Sequence, residues 1–262
     1  MRLACSSYSY NEVFEDGMDL AEFFEICAAD LDVGGVELID EHLPGDDPNS
    51  LDRIADLAAD HGLEIACLSV FYNDFAKVSR EERREDVRLV RNWLDSADRL
   101  GAHVVRAFTG FPGLHNRDHG DPAVWRDVTT SLQECVDYAR TVEPTLAVEN
   151  HNHDGLIRTA DDIFRVRNGV NGDLGLVLDL ANYVDGVNSV RRSLHLADHV
   201  HAAYDDVAAD GSEPSYDYYD EALASLVDRG YDGFVTVEYE GDEDPFETVP
   251  RAVNYLAGRV NR

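Results

Sequence analysis

The chain has 262 residues, and 53 Asp and Glu against 22 Lys and Arg give it a formal net charge of −31. This charge argues against a protein that binds nucleic acid or an anionic membrane surface, because clustered Lys and Arg hold both partners. Hydrophobic residues still make up 44% of the chain, so we expect a folded protein and not a disordered acidic one.

The charged residues are unevenly chosen: the chain has 34 Asp, 19 Glu and 21 Arg, but a single lysine, Lys77. The excess acidic charges repel one another at ordinary ionic strength, whereas at molar salt the Debye length falls to about 3 Å and the repulsion largely disappears. We interpret the composition as adaptation to high salt, typical of a halophile. The alternative is an ordinary acidic protein whose arginine usage reflects a GC-rich gene.

The four cysteines show no CxxC or zinc-like spacing, and their apolar neighbours predict small buried side chains. They are Cys5, Cys27, Cys67 and Cys135. The first seven residues lack the apolar run of a signal peptide, and no stretch approaches the 18 apolar residues of a membrane span. We therefore expect a cytoplasmic protein.

Short apolar runs rich in β-branched residues alternate with helical patterns along the whole chain. Strands are predicted at residues 3–8, 36–39, 64–70, 103–108, 145–150, 175–179, 199–203 and 233–238. Helices are predicted at residues 19–31, 50–61, 81–100, 123–142, 159–168, 187–196, 219–229 and 245–260. Gly62, Gly101 and Gly230 follow three of these helices, as is typical of the residue that ends a helix.

Eight strand–helix units without a Pro/Ser-rich linker predict a single (β/α)₈ TIM barrel over residues 1–262. The alternative is a doubly wound open sheet. That fold needs a glycine-rich phosphate turn after the first strand, where residues 6–10 read Ser-Ser-Tyr-Ser-Tyr instead.

Polar residues stand at or near the ends of the last four predicted strands, where the active site of such a barrel lies. They are Glu149, Asp179, His201 and Glu238. Three carboxylates and one imidazole suit an octahedral divalent ion, Mn²⁺ above all, with Mg²⁺, Co²⁺ or Zn²⁺ as further candidates. His199 is the alternative to His201, one layer deeper on the same strand face. The competing interpretation treats all four as strand-end caps and surface charges of an acid-rich protein.

Five short motifs surround the predicted strand ends. They are Gly35-Val36-Glu37-Leu38, Val148-Glu149-Asn150-His151, Leu178-Asp179-Leu180-Ala181-Asn182, His199-Val200-His201, and Gly230-Tyr231-Asp232-Gly233 leading to Val237-Glu238-Tyr239-Glu240. In these motifs the sequence resembles the xylose-isomerase-like barrels of sugar phosphate isomerases and epimerases, which include ketose 3-epimerases, hydroxypyruvate isomerase and inosose dehydratase. The resemblance spans the whole chain.

This resemblance implies that Glu149, Asp179, His201 and Glu238 bind one divalent metal, and that Glu149 and Glu238 also form the acid/base pair. The implied reaction isomerises or epimerises a sugar or sugar phosphate by removing a proton next to a carbonyl, through an enediolate. The implied partner is a small sugar or polyol, and homo-oligomers are common among relatives. The sequence differs from many relatives at two places. Many relatives have His-x-Lys-Asp on strand seven, whereas His201 is followed here by Ala202-Ala203-Tyr204-Asp205. Some epimerases have a substrate-binding histidine where this chain has Asn182.

The same residues are also compatible with other functions. A metal-dependent lyase, such as an inosose or dehydroshikimate-type dehydratase, shares the metal and the first proton abstraction but then expels a β-hydroxyl group. An endonuclease IV-like enzyme needs three zinc ions and extra histidines that this chain lacks. A non-catalytic binding protein is the last alternative. The loops after the last strands have no glycine-rich run or basic cluster, which favours an unphosphorylated substrate.

Further polar residues are candidates for substrate binding. Glu37 and Arg106 interrupt otherwise apolar strands, so they either contact substrate hydroxyls or form a buried ion pair. His151 and Asn182 follow predicted ligands and either bind substrate or hydrogen-bond to those ligands. His42 is a weaker candidate. The segment 108–121 is either a lid or a connector, and the tyrosine-rich segment 204–219 is expected to cover the barrel mouth.

Overall fold

The computed structural model describes residues 1–151 and 155–260. Its eight parallel strands close into a barrel in chain order, with the last strand beside the first. They are β1 Arg2–Ser6, β2 Gly35–Ile39, β3 Glu64–Ser69, β4 Val104–Ala107, β5 Thr145–Glu149, β6 Gly175–Asp179, β7 Ala197–Tyr204 and β8 Phe234–Tyr239. The predicted (β/α)₈ fold class is confirmed. That residues 1–262 form one domain stays a prediction.

Helices surround the barrel in the described part of the chain. They are α1 Asn11–Glu15, α2 Leu20–Glu25, α3 Pro48–Asp60, α4 Arg80–Leu100, α5 Pro122–Ala139, α6 Ala160–Gly169, α7 Val187–Ser193, α8 Tyr219–Asp228 and α9 Pro245–Val260. Helix α1 was not predicted, and the helix predicted at 19–31 becomes π-helical after Glu25. No helix within the described ranges has the length and apolar character that a bilayer span requires.

Local sequence explains where these helices begin and end. Aspartates accept hydrogen bonds from the first turns of α2, α3 and α5, which places part of the acidic excess where a helix terminus stabilises negative charge. Gly62, Gly101 and Gly230 each have φ of 72° directly after or one residue beyond a helix, so the predicted helix-ending glycines are confirmed.

Mostly small apolar side chains fill the lower part of the barrel interior. Cys67, Val104, Ala147 and Val177 form one buried cluster, and Phe234 packs with Ala4 and Ala66 in another. All four cysteines are free and buried, as predicted.

The strand register brings the predicted ligands to one end of the barrel. Asp179 on β6 pairs with His201 on β7, while Ala203, two residues further along β7, pairs with Glu238 on β8. Side chains two residues apart on a strand share a face, so His199 lies on the same face as His201 and one layer deeper.

Candidate metal centre

Four buried side chains from consecutive strands meet at the carboxyl end of the barrel. Each contributes one ligand atom, and these atoms all lie within 4.8 Å of one another. The residues are Glu149, Asp179, His201 and Glu238. The structure therefore brings together the four side chains that the sequence singles out, on β5, β6, β7 and β8 respectively.

The imidazole of His201 shows that the cluster suits a cation. Its Nδ1 atom lies 2.8 Å from Glu149 Oε1 and 3.1 Å from Glu238 Oε2, yet it makes no hydrogen bond with any described residue. The charges of Glu37, Glu238 and Glu149 outweigh the effect of burial and raise the pKa of His201 well above its ordinary value. Negative charge from two sides of a buried nitrogen is the environment in which a metal ion replaces a proton.

Asp179 is held in place by its neighbours. One carboxylate oxygen accepts hydrogen bonds from the backbone N–H groups of Ala181 and Asn182, and the other accepts from the Asn182 side chain at 2.9 Å. The side chain of Asn150 bonds to both backbone groups of Asp179, at 2.9 and 3.0 Å. Burial, together with the charge of Glu149, raises the pKa of Asp179 to about 8. A divalent cation would relieve this repulsion between carboxylates.

Glu37 lies beneath the cluster and not in the cavity that opens above it. The residue is completely buried, and its carboxylate binds His199, His201 and Ser69. The charges of the two histidines outweigh burial and hold its pKa well below the ordinary value. The sequence interpretation of Glu37 as a substrate ligand does not match this position. The ion pair with Arg106 that was the alternative is not formed among the described residues either.

Arg106 instead pairs with a predicted metal ligand. Its Nη1 atom lies 3.4 Å from Glu149 Oε2, and its guanidinium group stacks over the ring of Phe108 at 4.3 Å. Burial raises the pKa of Glu149, but the charges of Arg106 and His201 outweigh it and bring that pKa below the ordinary value. Arg106 is 4% exposed, and its buried Nε and Nη1 atoms make no hydrogen bond with the described residues, so these donors are available to a ligand.

The cluster opens into a cavity of about 350 Å³ with one polar and one aromatic side. The polar lining consists of Arg106, Glu149, His151, Asn182, Glu238 and Glu240, and the aromatic lining of Tyr8, Phe71, Tyr72, Phe108 and Phe111. Carboxylates at one end and aromatic faces opposite suit a small polyhydroxylated molecule, whose hydroxyl groups and C–H faces bind these two surfaces.

A family comparison agrees with this architecture. The family model described as "Xylose isomerase-like TIM barrel" matches residues 27–258 of the sequence. The chain belongs to the xylose isomerase-like TIM barrel family. A comparison with curated protein sequences gave no significant match.

Solved structures of this barrel type carry several different activities. A D-psicose 3-epimerase solved in the presence of D-fructose is similar over 100% of both chains, with 16% identity and a TM-score of 0.78. A probable 3-DHS dehydratase of petrobactin synthesis from Bacillus anthracis covers 99% of this chain and 100% of its own, at 15% identity and a TM-score of 0.74. An AP endonuclease, family 2, from Brucella melitensis shows 21% identity, coverage of 95% and 97%, and a TM-score of 0.72. At these identities the likeness shows a shared fold, so the activity must be argued from the site.

Two loop predictions have mixed outcomes within the family fold. The segment 108–121 supplies Phe108 and Phe111 to the cavity, but His115 bonds to Asp74 and His119 to the carbonyl of Leu156, away from it. No described residue of segment 204–219 lines the cavity. Tyr218 and Tyr219 of that segment donate hydrogen bonds to backbone carbonyls at the ends of β6 and β7.

His42 is used structurally, which argues against the weaker substrate-binding interpretation. Its ring nitrogens lie 2.8 Å from Ser7 Oγ and 3.0 Å from Asn11 Oδ1, and its ring stacks on Phe14 at 4.1 Å. The residue does not line the cavity above the carboxylate cluster, but a separate pocket beside Met18 and Arg53.

Sequence reasoning missed several residues that shape the site. Tyr8 lies in a 3₁₀ helix directly after β1, and Phe71 and Tyr72 lie in the loop after β3, where no periodic pattern predicts a cavity wall. Asn150 was visible in the quoted motif after β5, but its bonds to the backbone of Asp179 required the pairing of β5 with β6. Glu240 could have been predicted from Glu238, because the two carboxylates are two residues apart and therefore share one face of the chain.

Proposed function

We propose that this protein is a divalent-metal-dependent isomerase or epimerase of a small sugar or polyol, which moves a proton on a carbon next to a carbonyl group. The observation that carries the proposal is the position of Glu149 and Glu238. Both carboxylates belong to the four-residue cluster around His201 Nδ1, and both line the same cavity. Each can therefore bind a metal ion and reach a ligand in the cavity.

The donor set fits a hard divalent ion held by Glu149, Asp179, His201 and Glu238, with Mn²⁺ favoured and Mg²⁺, Co²⁺ or Zn²⁺ as alternatives. When bound, such an ion would polarise a substrate carbonyl and its neighbouring hydroxyl, and so acidify the carbon between them.

Proton transfer falls to the two carboxylates that line the cavity. Glu149 and Glu238 stand on β5 and β8, with β6 and β7 between them, so they approach a bound ligand from different sides of the barrel. One carboxylate removes the proton and the other returns it. Return to the same carbon from the opposite face inverts that carbon, and return to the neighbouring carbon moves the carbonyl group. Since ion pairing with Arg106 keeps Glu149 ionised, Glu149 is suited to begin the reaction as a base.

Substrate orientation is assigned to the remaining polar lining. Arg106 directs unused donors toward ligand oxygens, while Asn182 contacts both Asp179 and the cavity. His151 stacks on Phe108, with ring centroids 5.4 Å apart, and lines the same wall. Arg106, Asn182 and His151 are therefore the proposed substrate-binding residues. Among the described residues, the cavity lining contains no lysine and no second arginine, which favours an unphosphorylated substrate.

A dehydratase is the second candidate, because the same cluster and carboxylates perform its first step and because one similar structure is a probable 3-DHS dehydratase. The test incubates the Mn²⁺-loaded protein in D₂O with a panel of ketoses, inososes, 3-dehydroshikimate and hydroxypyruvate, followed by NMR and mass spectrometry. An isomerase or epimerase incorporates deuterium without losing water, whereas a dehydratase product is lighter by one water. Absence of exchange and of water loss across the panel, with metal bound, would refute both candidates.

A further inference from the structure

A second cluster of chemically active side chains lies directly beneath the candidate metal centre. It contains Glu37, Cys67 and His199, all buried, with one potential ligand atom from each within 4.8 Å of the others. Ser69 and Thr236 complete it through hydrogen bonds. No described residue of this cluster lines the cavity, so it does not contact substrate.

Glu37 connects this lower cluster to His201. Its Oε1 atom accepts a hydrogen bond from Ser69 Oγ at 2.7 Å. Its Oε2 atom lies 2.9 Å from His199 Nε2 and 2.9 Å from His201 Nε2. A carboxylate surrounded by three donor groups acts only as an acceptor, so the imidazole nitrogens that face it carry their protons.

The same bond determines the free nitrogen of His201. A metal-binding imidazole is neutral and has one proton, and Glu37 places it on Nε2, so in the metal-bound state the lone pair is on Nδ1. That atom is the one that lies 2.8 Å from Glu149 and 3.1 Å from Glu238 without a hydrogen bond. The opposite tautomer would direct an N–H toward the metal centre and a lone pair toward the Glu37 carboxylate.

We propose that Glu37 is a positioning residue, which fixes His201 in the tautomer and orientation that bind a divalent metal through Nδ1. This inference rests on the proposed function, since it assumes that Glu149, Asp179, His201 and Glu238 hold the ion. Ser69 and His199 hold the Glu37 carboxylate in turn. Carboxylates that orient metal-binding histidines typically change metal affinity by 10- to 100-fold when they are replaced.

The lower cluster does not suit a second ion. The Oε2 atom of Glu37 already contacts two imidazole nitrogens, and His199 Nε2 also lies 2.8 Å from Thr236 Oγ1. Cys67 Sγ lies 3.6 Å from Ser69 Oγ, and burial raises the pKa of this thiol, which disfavours the thiolate that a metal would need. The proposal therefore requires one ion per chain.

The first experiment measures Mn²⁺ binding to the full-length wild type and to Glu37→Gln, by titration calorimetry and by the electron paramagnetic resonance signal of free Mn²⁺. Glu37→Gln keeps the side-chain volume but removes the charge that orients His201. We expect one ion per wild-type chain and a dissociation constant about 10- to 100-fold higher for the variant. Asp86→Asn is the matched control: it also neutralises a buried, ion-paired carboxylate, but this carboxylate stands on helix α4 and belongs to neither buried cluster, so the Mn²⁺ affinity should match the wild type.

The second experiment does not depend on the variant folding. Long-range ¹H–¹⁵N correlation spectra of the Mg²⁺-loaded wild type report the tautomer of each histidine, with assignment of His201 by selective labelling. We expect a proton on Nε2 of His201 and none on Nδ1. A proton on Nδ1 would overturn the proposal whatever Glu37→Gln does.

The remaining outcomes separate this inference from the proposed function. Unchanged Mn²⁺ affinity in Glu37→Gln, or two ions per wild-type chain, overturns the role of Glu37 but leaves metal-dependent catalysis intact. A wild type that exchanges substrate deuterium without binding any divalent ion overturns both the role of Glu37 and the metal dependence.

Discussion

Glu238 provides the most direct test of catalysis at the scale of a single residue. Replacing it with Gln keeps the size and one oxygen ligand but removes the base, so we expect deuterium exchange into substrate to fall by about 10²-fold or more. The rate is measured by NMR in D₂O with the Mn²⁺ content of each sample determined. Glu243 is the control, because its carboxylate is exposed and pairs with Arg251 on α9. Glu243→Gln should retain the wild-type rate. Full exchange by Glu238→Gln would eliminate the two-carboxylate mechanism.

His201 tests the metal centre itself. Among the four described ligand side chains, His201 alone offers a nitrogen atom, so the metal content of His201→Ala after dialysis should fall well below that of the wild type. Elemental analysis measures the ratio of metal to protein. His195→Ala, an exposed histidine on the turn before β7, is the control and should bind metal normally. Unchanged stoichiometry in His201→Ala would show that the ion is held elsewhere.

His42 links residue burial to the pH dependence of stability. Burial lowers the pKa of His42 to about 4, whereas an unfolded histidine titrates near 6.5. Protons therefore bind the unfolded chain preferentially between these values, so the stability that neutral His42 provides is present above about pH 6.5 and is lost as pH falls toward 4. After allowance for solvent screening of this half-buried ring, the loss between pH 7 and pH 5 amounts to about 1–2 kcal/mol.

Urea unfolding at pH 7 and pH 5 measures this effect. We expect the wild type to lose about 1–2 kcal/mol more than His42→Gln over this interval. The exposed His195→Gln variant should lose as much as the wild type does. If His42→Gln shows the same pH dependence as the wild type, burial does not hold the histidine neutral.

At the scale of an element, the floor of the barrel depends on a close approach between β2 and β8. A Cβ atom on Gly35 would lie 2.5 Å from Cε1 of the buried Phe234 ring. Gly35→Ala therefore forces the ring to move within a packed layer, and we expect a loss of about 1–3 kcal/mol in the free energy of unfolding. Gly34→Ala is the matched control, since its Cβ meets nothing within 4 Å. Equal stability of the two variants would show that the Phe234 ring adapts freely.

The elements also show what local sequence can predict. The order of the strands and of the eight predicted helices followed from apolar periodicity, whereas α1, which has no fully buried residue, gave no such signal. The boundaries shifted where tertiary contacts intervened. β1 ends at Ser6 because Ser7 and Ser9 turn away and bond to the backbone of β2 and β8.

At the scale of the whole molecule, the charge predicts a dependence on salt. With 53 acidic side chains and one lysine, the folded surface concentrates negative potential that unfolding relieves, so low salt should destabilise the protein. Screening by KCl should raise the melting temperature over the first few tenths molar, and any further gain at molar KCl would come from strengthened apolar burial or from cations held by carboxylates. Thermal unfolding across a KCl series measures this. A melting temperature that stays flat or falls with KCl would contradict the high-salt interpretation.

The sequence by itself determined the order of the strands and which side chains end them. Glu149, Asp179, His201 and Glu238 were identifiable because strand-end positions of a parallel barrel converge whatever the details of packing. Parity along β7 also indicated that His199 and His201 share a face, and proximity to the strand end favoured His201 as the ligand candidate.

Only the tertiary structure decided the depth and partners of each inward side chain. Glu37 and His201 are 164 positions apart, and their contact depends on how the strands are staggered when the barrel closes. A charged residue on an inward strand face gives the same sequence pattern whether it lines the cavity, as Arg106 does, or lies beneath the candidate metal centre, as Glu37 does. Sequence periodicity determines the face of a strand, whereas the stagger of the closed barrel determines the layer.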